Sequence, residues 1–197
     1  MPPEISQQEL TEIVERAREG SAKDFYRLYS HFAKPIYNFV RRLAGSPDEA
    51  EDLTQDTFLK VHSELSKLRD PGQFKFWLFR IARNEVYQRL RRSQKRPEVS
   101  IDNEAIPYFE FLRDESHSID PEDRMLAVEL HGVVARALGE LRPKYRDVFV
   151  LAVFEKMRYE DIANVVGRSL LSVKTDIYRA RLTVKEAVND YLARRTL

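Results

Sequence analysis

The 197-residue sequence contains no cysteine. Disulfide bonds and thiolate metal sites are therefore excluded, and a reducing cytoplasm is the natural setting for such a chain. No apolar run approaches the roughly 20 residues that span a bilayer, and the acidic amino-terminal segment does not resemble a signal peptide. We therefore expect a cytoplasmic protein with no membrane insertion.

The sequence also lacks any useful length of the alternating apolar and polar pattern that predicts β-strands. Residues typical of helix starts and helix ends occur instead along nearly the whole chain. Ser6 and Glu9, for example, form a capping box, and Gly20 follows as a stop signal. Pro35 lies inside the second predicted helix and should kink it or split it in two. We predict an all-α protein.

The net charge is only +1, which by itself does not suggest a nucleic-acid partner. The charges are, however, unevenly distributed. Residues 83–96 hold six basic side chains and one acidic one, whereas residues 97–123 hold nine acidic side chains and one basic one. The first segment could bind a phosphate backbone, and the second would be repelled by one. This reversal predicts a boundary between two helical domains.

We place the domains at residues 1–95 and 121–197, joined by an acidic linker at 96–120. The linker contains the apolar and aromatic stretch IPYFEFL at 106–112. Such a stretch is too apolar for a purely flexible linker, so we expect it to dock on the protein's own domains or on a partner.

Residues 159–181, YEDIANVVGRSLLSVKTDIYRAR, predict a short helix, a glycine turn and a second helix. Gly167 suits the left-handed turn, and Ser169 suits the N-cap of the second helix. That helix has an apolar stripe at helical spacing, formed by Val173, Ile177, Ala180, Val184 and Val188. Its opposite side carries Lys174, Thr175, Tyr178, Arg179 and Lys185. The pattern is typical of a DNA-binding helix-turn-helix, with a solvated helical hairpin as the alternative.

The third predicted helix has an unusual outer face. Its polar members are Asp48, Asp52, Gln55, Asp56 and Ser63. Leu59 lies among them, which favours a protein-docking patch over a merely solvated face. Carboxylates at this spacing could also hold a divalent metal, but no second acidic helix is evident to complete such a site.

The fourth predicted helix changes character along its length. Its first half, FKFWLFRIA at 74–82, is apolar nearly all round, so its aromatic residues are expected in the core. Its second half, RNEVYQRLRR at 83–92, carries amide, phenol and guanidinium groups suited to bases and phosphates.

These segments resemble a known family. DEAEDLTQDTFLKVHSEL at 48–65, followed by residues 74–92, resembles region 2 of bacterial RNA polymerase sigma factors, and residues 141–181 resemble region 4. The short acidic linker, with no domain between the regions, resembles the extracytoplasmic-function (ECF) group. The resemblance implies two helical domains, a region 2 bundle and a region 4 helix-turn-helix domain.

The resemblance also implies partners and residue roles. Core RNA polymerase would be bound through the clamp helices of its largest subunit and through its flap, with Asp52, Gln55, Asp56 and Leu59 contacting the clamp helices. The −10 element of promoter DNA would be read by Arg69, Asp70, Gly72, Arg80, Arg83, Asn84 and Gln88. The −35 element would be read by Lys174, Thr175, Tyr178 and Arg179. An anti-sigma factor is expected as a further partner.

Several positions depart from the family pattern. Arg168 replaces an apolar residue, Leu171 a small one and Asp176 an often basic one, while Tyr87 and Gln88 stand where an aliphatic–acidic pair is frequent. We expect Asp176 to lie near phosphates and to weaken DNA binding. We expect these differences to bear on which promoter sequence is recognised and not on the class of protein.

Two other classes of function are weighed against a sigma factor. An autonomous helix-turn-helix regulator would bind an operator without polymerase, usually as a dimer, but no dimerisation heptad is evident. A helical metal-dependent enzyme would need a second carboxylate or histidine cluster, and the four histidines show no ligand spacing. We therefore predict no catalytic residue, no metal site and no cofactor.

Overall fold

The described part of the chain, residues 5–94 and 121–195 of a computed structural model, consists of eight α-helices and two 3-10 turns and contains no strand. The first four helices are α1 (Gln7–Arg18), α2 (Ala22–Ala44), α3 (Pro47–Glu64) and α4 (Phe74–Gln94), with the 3-10 turns Leu65–Lys67 and Pro71–Gln73 between α3 and α4. The last four are α5 (Pro121–Glu140), α6 (Pro143–Val153), α7 (Tyr159–Val166) and α8 (Leu170–Arg195). The prediction of an all-α protein is confirmed.

Helix α1 starts at its predicted cap. The Oγ atom of Ser6 accepts a hydrogen bond from the Glu9 backbone N–H at 3.1 Å, as a capping box requires. Helix α3 starts at Pro47, and Ser46 before it makes no side-chain cap hydrogen bond. Its start relies instead on proline at the first position and on carboxylates in the first turn, which favour the positive end of the helix dipole.

Helix α2 continues through Pro35, so of the two expected effects of this proline, a kink or a division of the helix, the division does not occur. Phe32, Ile36 and Phe39 are buried on either side of it. These side chains pack into one core. Their burial compensates for the single backbone hydrogen bond that proline cannot make.

Helices α1 to α4 form a first module. Helix α2 packs against α1, α3 and α4, and two edge-to-face ring pairs join α2 to α4. Phe39 lies 5.1 Å from Phe79 and Phe32 lies 5.6 Å from Phe74, measured between ring centroids. The predicted core role is confirmed for Phe74 and Phe79, which are fully buried, whereas Phe76 and Trp77 are only partly buried and pack against the same core.

Helices α5 to α8 form a second module, in which α8 packs on α5, α6 and α7. The two modules are in contact, because α4 packs on α7 and α2 packs on α6. Buried residues of α6 and α7, such as Leu151 and Ile162, belong to the same apolar cluster as the first module's core. The aromatic stretch at 106–112 and the linker at 96–120 lie outside the described residues.

Gly167 ends α7 in the left-handed region, with φ +66°. We expect Gly167→Ala to lower the free energy of unfolding by about 1 kcal/mol, because a side chain disfavours this conformation. Gly139 in α5 is the matched control, since an added Cβ at either glycine meets no atom within 4 Å. There, alanine should be neutral or stabilise by up to ~1 kcal/mol, because alanine is the better helix former. Urea unfolding measures both, and equal effects would contradict the argument.

Candidate nucleic-acid interface

The outer face of α3 carries an acidic ridge, which we define as Asp52, Gln55, Asp56 and Leu59. All four side chains are exposed, and Leu59 is 70% exposed. The opposite face of α3 is buried in the first module, through Thr54, Phe58 and Val61. The ridge is therefore a free surface on a helix that the core holds rigidly.

Helix α4 supports the ridge from one side. Lys60 Nζ lies 2.6 Å from Glu85 Oε1, and Arg89 Nη2 lies 3.6 Å from Asp56 Oδ2. The second pair is solvent-exposed and contributes little stability. Asp56 thus stays available to a partner, since a weak surface pair is readily exchanged.

The loop between α3 and α4 holds three of the predicted site residues. Asp70 Oδ1 accepts a hydrogen bond from the Gly72 backbone N–H at 2.9 Å and caps the 3-10 turn Pro71–Gln73. A Cβ on Gly72 would lie 3.1 Å from the same oxygen. Asp70 and Gly72 therefore shape the loop, whereas the side chain of Arg69 is exposed.

Helix α1 holds this loop in place, which the sequence did not indicate. Gln7 Nε2 donates to the Gly72 carbonyl at 3.1 Å, and Arg18 Nη1 donates to the Leu68 carbonyl at 3.2 Å. The start and the end of α1 thus each hold one point of the loop backbone. The loop therefore has a defined backbone conformation.

The second half of α4 presents a polar stripe. Arg80, Asn84 and Gln88 recur every four residues, so they share one face of the helix. Arg80 and Asn84 are exposed, and Gln88 is half-buried. The structure therefore brings three of the predicted −10 residues together on one surface.

Arg83 lies beside that stripe and points towards the second module. Its Nε donates to Oδ2 of Asp147 on α6 at 2.6 Å, and the Asp147 side chain is fully buried. Burial raises the pKa of Asp147, and the neighbouring charge of Arg83 counteracts that rise. The two ionised groups depend on each other, because a buried carboxylate without a cation is costly.

The predicted helix-turn-helix is present in α7 and α8. Gly167 is left-handed, and Ser169 caps α8 by accepting a hydrogen bond from the Ser172 N–H at 3.3 Å. The predicted outer face is exposed at Lys174, Thr175, Tyr178 and Arg179, while Val173, Ile177, Ala180 and Val184 are buried beneath it. The structure thus places the four predicted −35 residues on one accessible surface.

The expectation that Asp176 lies near phosphates is wrong. Asp176 is only 5% exposed, and its Oδ2 accepts from Arg168 Nη1 at 2.5 Å. Arg168 also contacts Asp147, with 3.4 Å between Nη2 and Oδ1. Arg168 and Asp176, which both depart from the family pattern, therefore form an ion pair with each other. This pair joins the turn between α7 and α8 to the side of α8 that faces away from its exposed residues.

Sequence reasoning missed Tyr145, which lies at the start of α6. Its hydroxyl accepts from Arg179 Nη1 at 3.1 Å, and this hydrogen bond lowers the pKa of Tyr145. Lys144 Nζ lies 4.7 Å from the centroid of the same ring. Lys144 therefore adds a positive charge beside the basic face of α8, and only the folded chain brings these two residues there.

Neither a metal centre nor a membrane span is found in the part of the chain that the structure describes. Those residues contain no group of three or more histidine, aspartate or glutamate side chains placed to hold an ion. Among the described helices, none is both long enough and apolar enough to cross a bilayer.

Each module matches a known protein family. The family described as Sigma-70 region 2 matches residues 28–96, and the family described as Sigma-70, region 4 matches residues 131–184. The first match contains the acidic ridge, the loop and the polar stripe of α4. The second contains Asp147, Arg168 and the exposed face of α8.

Relatives that align over most of their own length belong to the same family. The chain is 29% identical to the RNA polymerase sigma-H factor of Pseudomonas aeruginosa over 95% of this chain and 98% of the relative. It is 26% identical to the ECF RNA polymerase sigma factor SigW of Bacillus subtilis, over 90% and 95% respectively. The sigma factor RpoE of Bartonella quintana, solved in complex with the anti-sigma factor NepR, has a similar structure, with a TM-score of 0.68, 27% identity and coverage of 85% of this chain and 98% of that one. With both regions matched in order and relatives aligned end to end, the chain belongs to the ECF group of the sigma-70 family and is an RNA polymerase sigma factor.

Proposed function

We propose that this sigma factor acts without covalent chemistry, by holding two DNA-reading modules on core RNA polymerase. In this proposal residues 1–95 dock on the polymerase and read the −10 element, and residues 121–197 read the −35 element. Residues 96–120 join them. The observation that carries the proposal is the separation of the exposed ridge, polar stripe and helix-turn-helix face onto two modules.

The acidic ridge is the proposed polymerase contact. An exposed leucine surrounded by carboxylates combines an apolar anchor with long-range attraction to a basic partner. Leu59 supplies the anchor, and Asp52 and Asp56 supply the charge. The proposed partner surfaces are the clamp helices of the largest subunit for the first module and the flap for the second.

The loop and the polar stripe are the proposed −10 reader. Extruding a base costs a few kcal/mol of lost stacking, which a preformed pocket can offset. The loop carrying Arg69 is held by α1 before any ligand arrives. Asn84, whose amide can both donate and accept, is exposed on the adjoining helix.

The exposed face of α8 is the proposed −35 reader. Recognition helices contact base edges with their amino-terminal residues, and Lys174 and Thr175 lie in the second turn of α8. The Thr175 hydroxyl donates to the Leu171 carbonyl at 2.9 Å, which leaves its oxygen free to accept. Arg179, held by Tyr145, is suited to a phosphate or a guanine.

We propose a cytoplasmic location and regulation by an anti-sigma factor. Both follow from the family, since transcription takes place in the cytoplasm and the similar Bartonella quintana sigma factor is bound by an anti-sigma factor.

Run-off transcription across a promoter library tests the function. Core RNA polymerase is assayed with and without the purified protein, and we expect discrete transcripts from a subset of promoters only when the protein is present. Aligning those promoters gives both recognised elements. Tight, sequence-specific binding by the protein alone, with no change in the transcripts, would overturn the proposal and favour an autonomous regulator.

A further inference from the structure

Tyr145 reaches the exposed face of α8 from the first turn of α6. Its ring is partly buried and packs against an apolar cluster that includes Leu141, Phe149 and Ala180. Its hydroxyl accepts a hydrogen bond from Arg179 Nη1 at 3.1 Å. The phenol is thus anchored by its ring in the core of the second module and bonded by its hydroxyl to a residue of the proposed −35 reader.

Arg168 fixes where the first turn of α6 lies relative to α8. From the turn between α7 and α8, its Nη1 donates to Asp176 Oδ2 at 2.5 Å, and its Nη2 donates to the Lys144 carbonyl at 3.1 Å. The same Nη2 lies 3.4 Å from Asp147 Oδ1. The guanidinium therefore bridges α8 and the residue that directly precedes Tyr145.

The two attachments between α6 and α8 lie close together. Asp176 and Arg179 are neighbours on the surface of α8, because residues three positions apart on a helix lie side by side. Lys144 and Tyr145, to which they are joined, are consecutive in the chain. The position of the Tyr145 hydroxyl relative to α8 is therefore fixed by the chain itself.

The hydrogen bond between Tyr145 and Arg179 is not needed to hold α6 on α8. The two helices already pack through Phe149, Ala180 and Val184, which are buried in one cluster. A hydrogen bond to an exposed side chain adds little stability, since water competes for the same groups. Its main effect falls on Arg179, whose long side chain would otherwise occupy many rotamers.

A guanidinium held in this way is suited to reading a base. It has five N–H donors, and the bond to Tyr145 involves only Nη1 of Arg179. The edge formed by Nε and Nη2 can donate two parallel hydrogen bonds to O6 and N7 of a guanine. Such a bidentate contact requires one orientation of the guanidinium plane, and an arginine that already has this orientation loses less entropy on binding.

We infer that Tyr145 is a positioning residue for the −35 element, which holds Arg179 in the orientation that reads a guanine, and that Arg168 holds Tyr145 in place. The inference rests on the proposed function, in which the exposed face of α8 reads the −35 element. It assigns Arg179 to a base and not to a phosphate.

Tyr145→Phe tests the inference in run-off transcription with core RNA polymerase across the promoter library. This variant keeps the packed ring and removes only the hydroxyl. Arg179→Ala identifies the −35 position that Arg179 reads, where the preference for guanine should fall about tenfold or more. Tyr145→Phe should lower the preference at the same position about threefold to tenfold and leave the other −35 positions unchanged.

A double variant shows whether the hydroxyl acts through Arg179. Tyr145→Phe should cause no further loss of preference in a chain that already carries Arg179→Ala, because the residue to be positioned is then absent. A further loss in the double variant would overturn the inference, since the hydroxyl would then act on the DNA by another route.

Tyr191→Phe is the matched control. The Tyr191 hydroxyl donates to Glu129, so this substitution also removes a phenol hydroxyl that joins α8 to another helix of the second module. Tyr191 lies about 18 Å beyond Arg179 along α8, at about 1.5 Å per residue. Its substitution should change no −35 preference. Urea unfolding of both single variants should show similarly small losses of stability.

Arg168→Lys tests the support of Tyr145. The lysine keeps a positive charge near Asp147 and Asp176, but one ammonium group cannot replace a planar fork that reaches Asp176 and the Lys144 carbonyl together. We expect a smaller relaxation at the position that Arg179 reads, in a variant that circular dichroism shows to be folded. An unchanged preference would remove Arg168 from the inference.

An unchanged preference in Tyr145→Phe would overturn the inference. So would an equal loss at every promoter, since the hydroxyl would then support the module as a whole. If the unsubstituted chain directs promoter-selective transcription but Arg179→Ala relaxes no −35 position, the inference alone fails, because Arg179 then reads no base. If the unsubstituted chain gives no promoter-selective transcripts, the proposed function fails and the inference falls with it.

Discussion

Leu59→Asp is expected to weaken binding to core RNA polymerase at least ~30-fold, because truncating or charging an interface anchor costs about 2 kcal/mol or more. Leu59 is 70% exposed, so the substitution should not disturb the fold. The substitution removes the apolar anchor of the ridge, and the added carboxylate is repelled by Asp52 and Asp56. Fluorescence anisotropy of the labelled protein, titrated with core polymerase, measures the loss.

Met125→Asp is the matched control for this experiment. Met125 is also an exposed apolar residue, at 62%, but it lies on α5, which packs on α8 in the second module. Its substitution should change the affinity little. A loss as large as that of Leu59→Asp, or an unchanged affinity in Leu59→Asp, would show that the ridge is not the docking surface.

Lys174→Ala is expected to reduce transcription from the best promoters of the library by about tenfold or more, since a base contact supplies about 1–3 kcal/mol of discrimination. The side chain is exposed in the second turn of α8, where recognition helices contact base edges. The preference at one −35 position should relax, while the preference at the −10 element stays unchanged. Run-off transcription across the library measures both.

Lys185→Ala removes the same charge from the same helix and serves as the control. It lies about 16 Å further along α8, at about 1.5 Å per residue, and so beyond a groove about 12 Å wide. We expect a uniform and smaller loss across all promoters. Equal relaxation of the −35 preference in both variants would show that Lys174 contributes only charge.

The substitutions Leu59→Asp and Lys174→Ala also distinguish binding to the polymerase from recognition of the promoter. Leu59→Asp should reduce transcription from every promoter in the same proportion, because it limits assembly with the polymerase. Lys174→Ala should leave assembly intact and alter only the choice of promoter. The pattern across the library therefore identifies which step each residue serves.

Much of the fold was predictable because its signals are local. Helix caps and glycine turns act over three or four residues, and the capping hydrogen bonds at Ser6 and Ser169 lie where the sequence places them. Periodicity likewise predicted which face of α8 is buried. Pro35 was harder, since whether a helix survives a proline depends on how well its flanks are packed.

The sequence by itself determined an all-α chain of the sigma-70 family with an exposed ridge on α3 and an exposed basic face on α8. Only the tertiary structure decided what the charged residues between those surfaces do. Asp176 looked like a residue facing DNA and is instead buried against Arg168, and Arg83 is paired with a carboxylate 64 positions away. Periodicity gives the direction of a side chain on its own helix, but the partner of a buried charge depends on how helices from distant parts of the chain pack together.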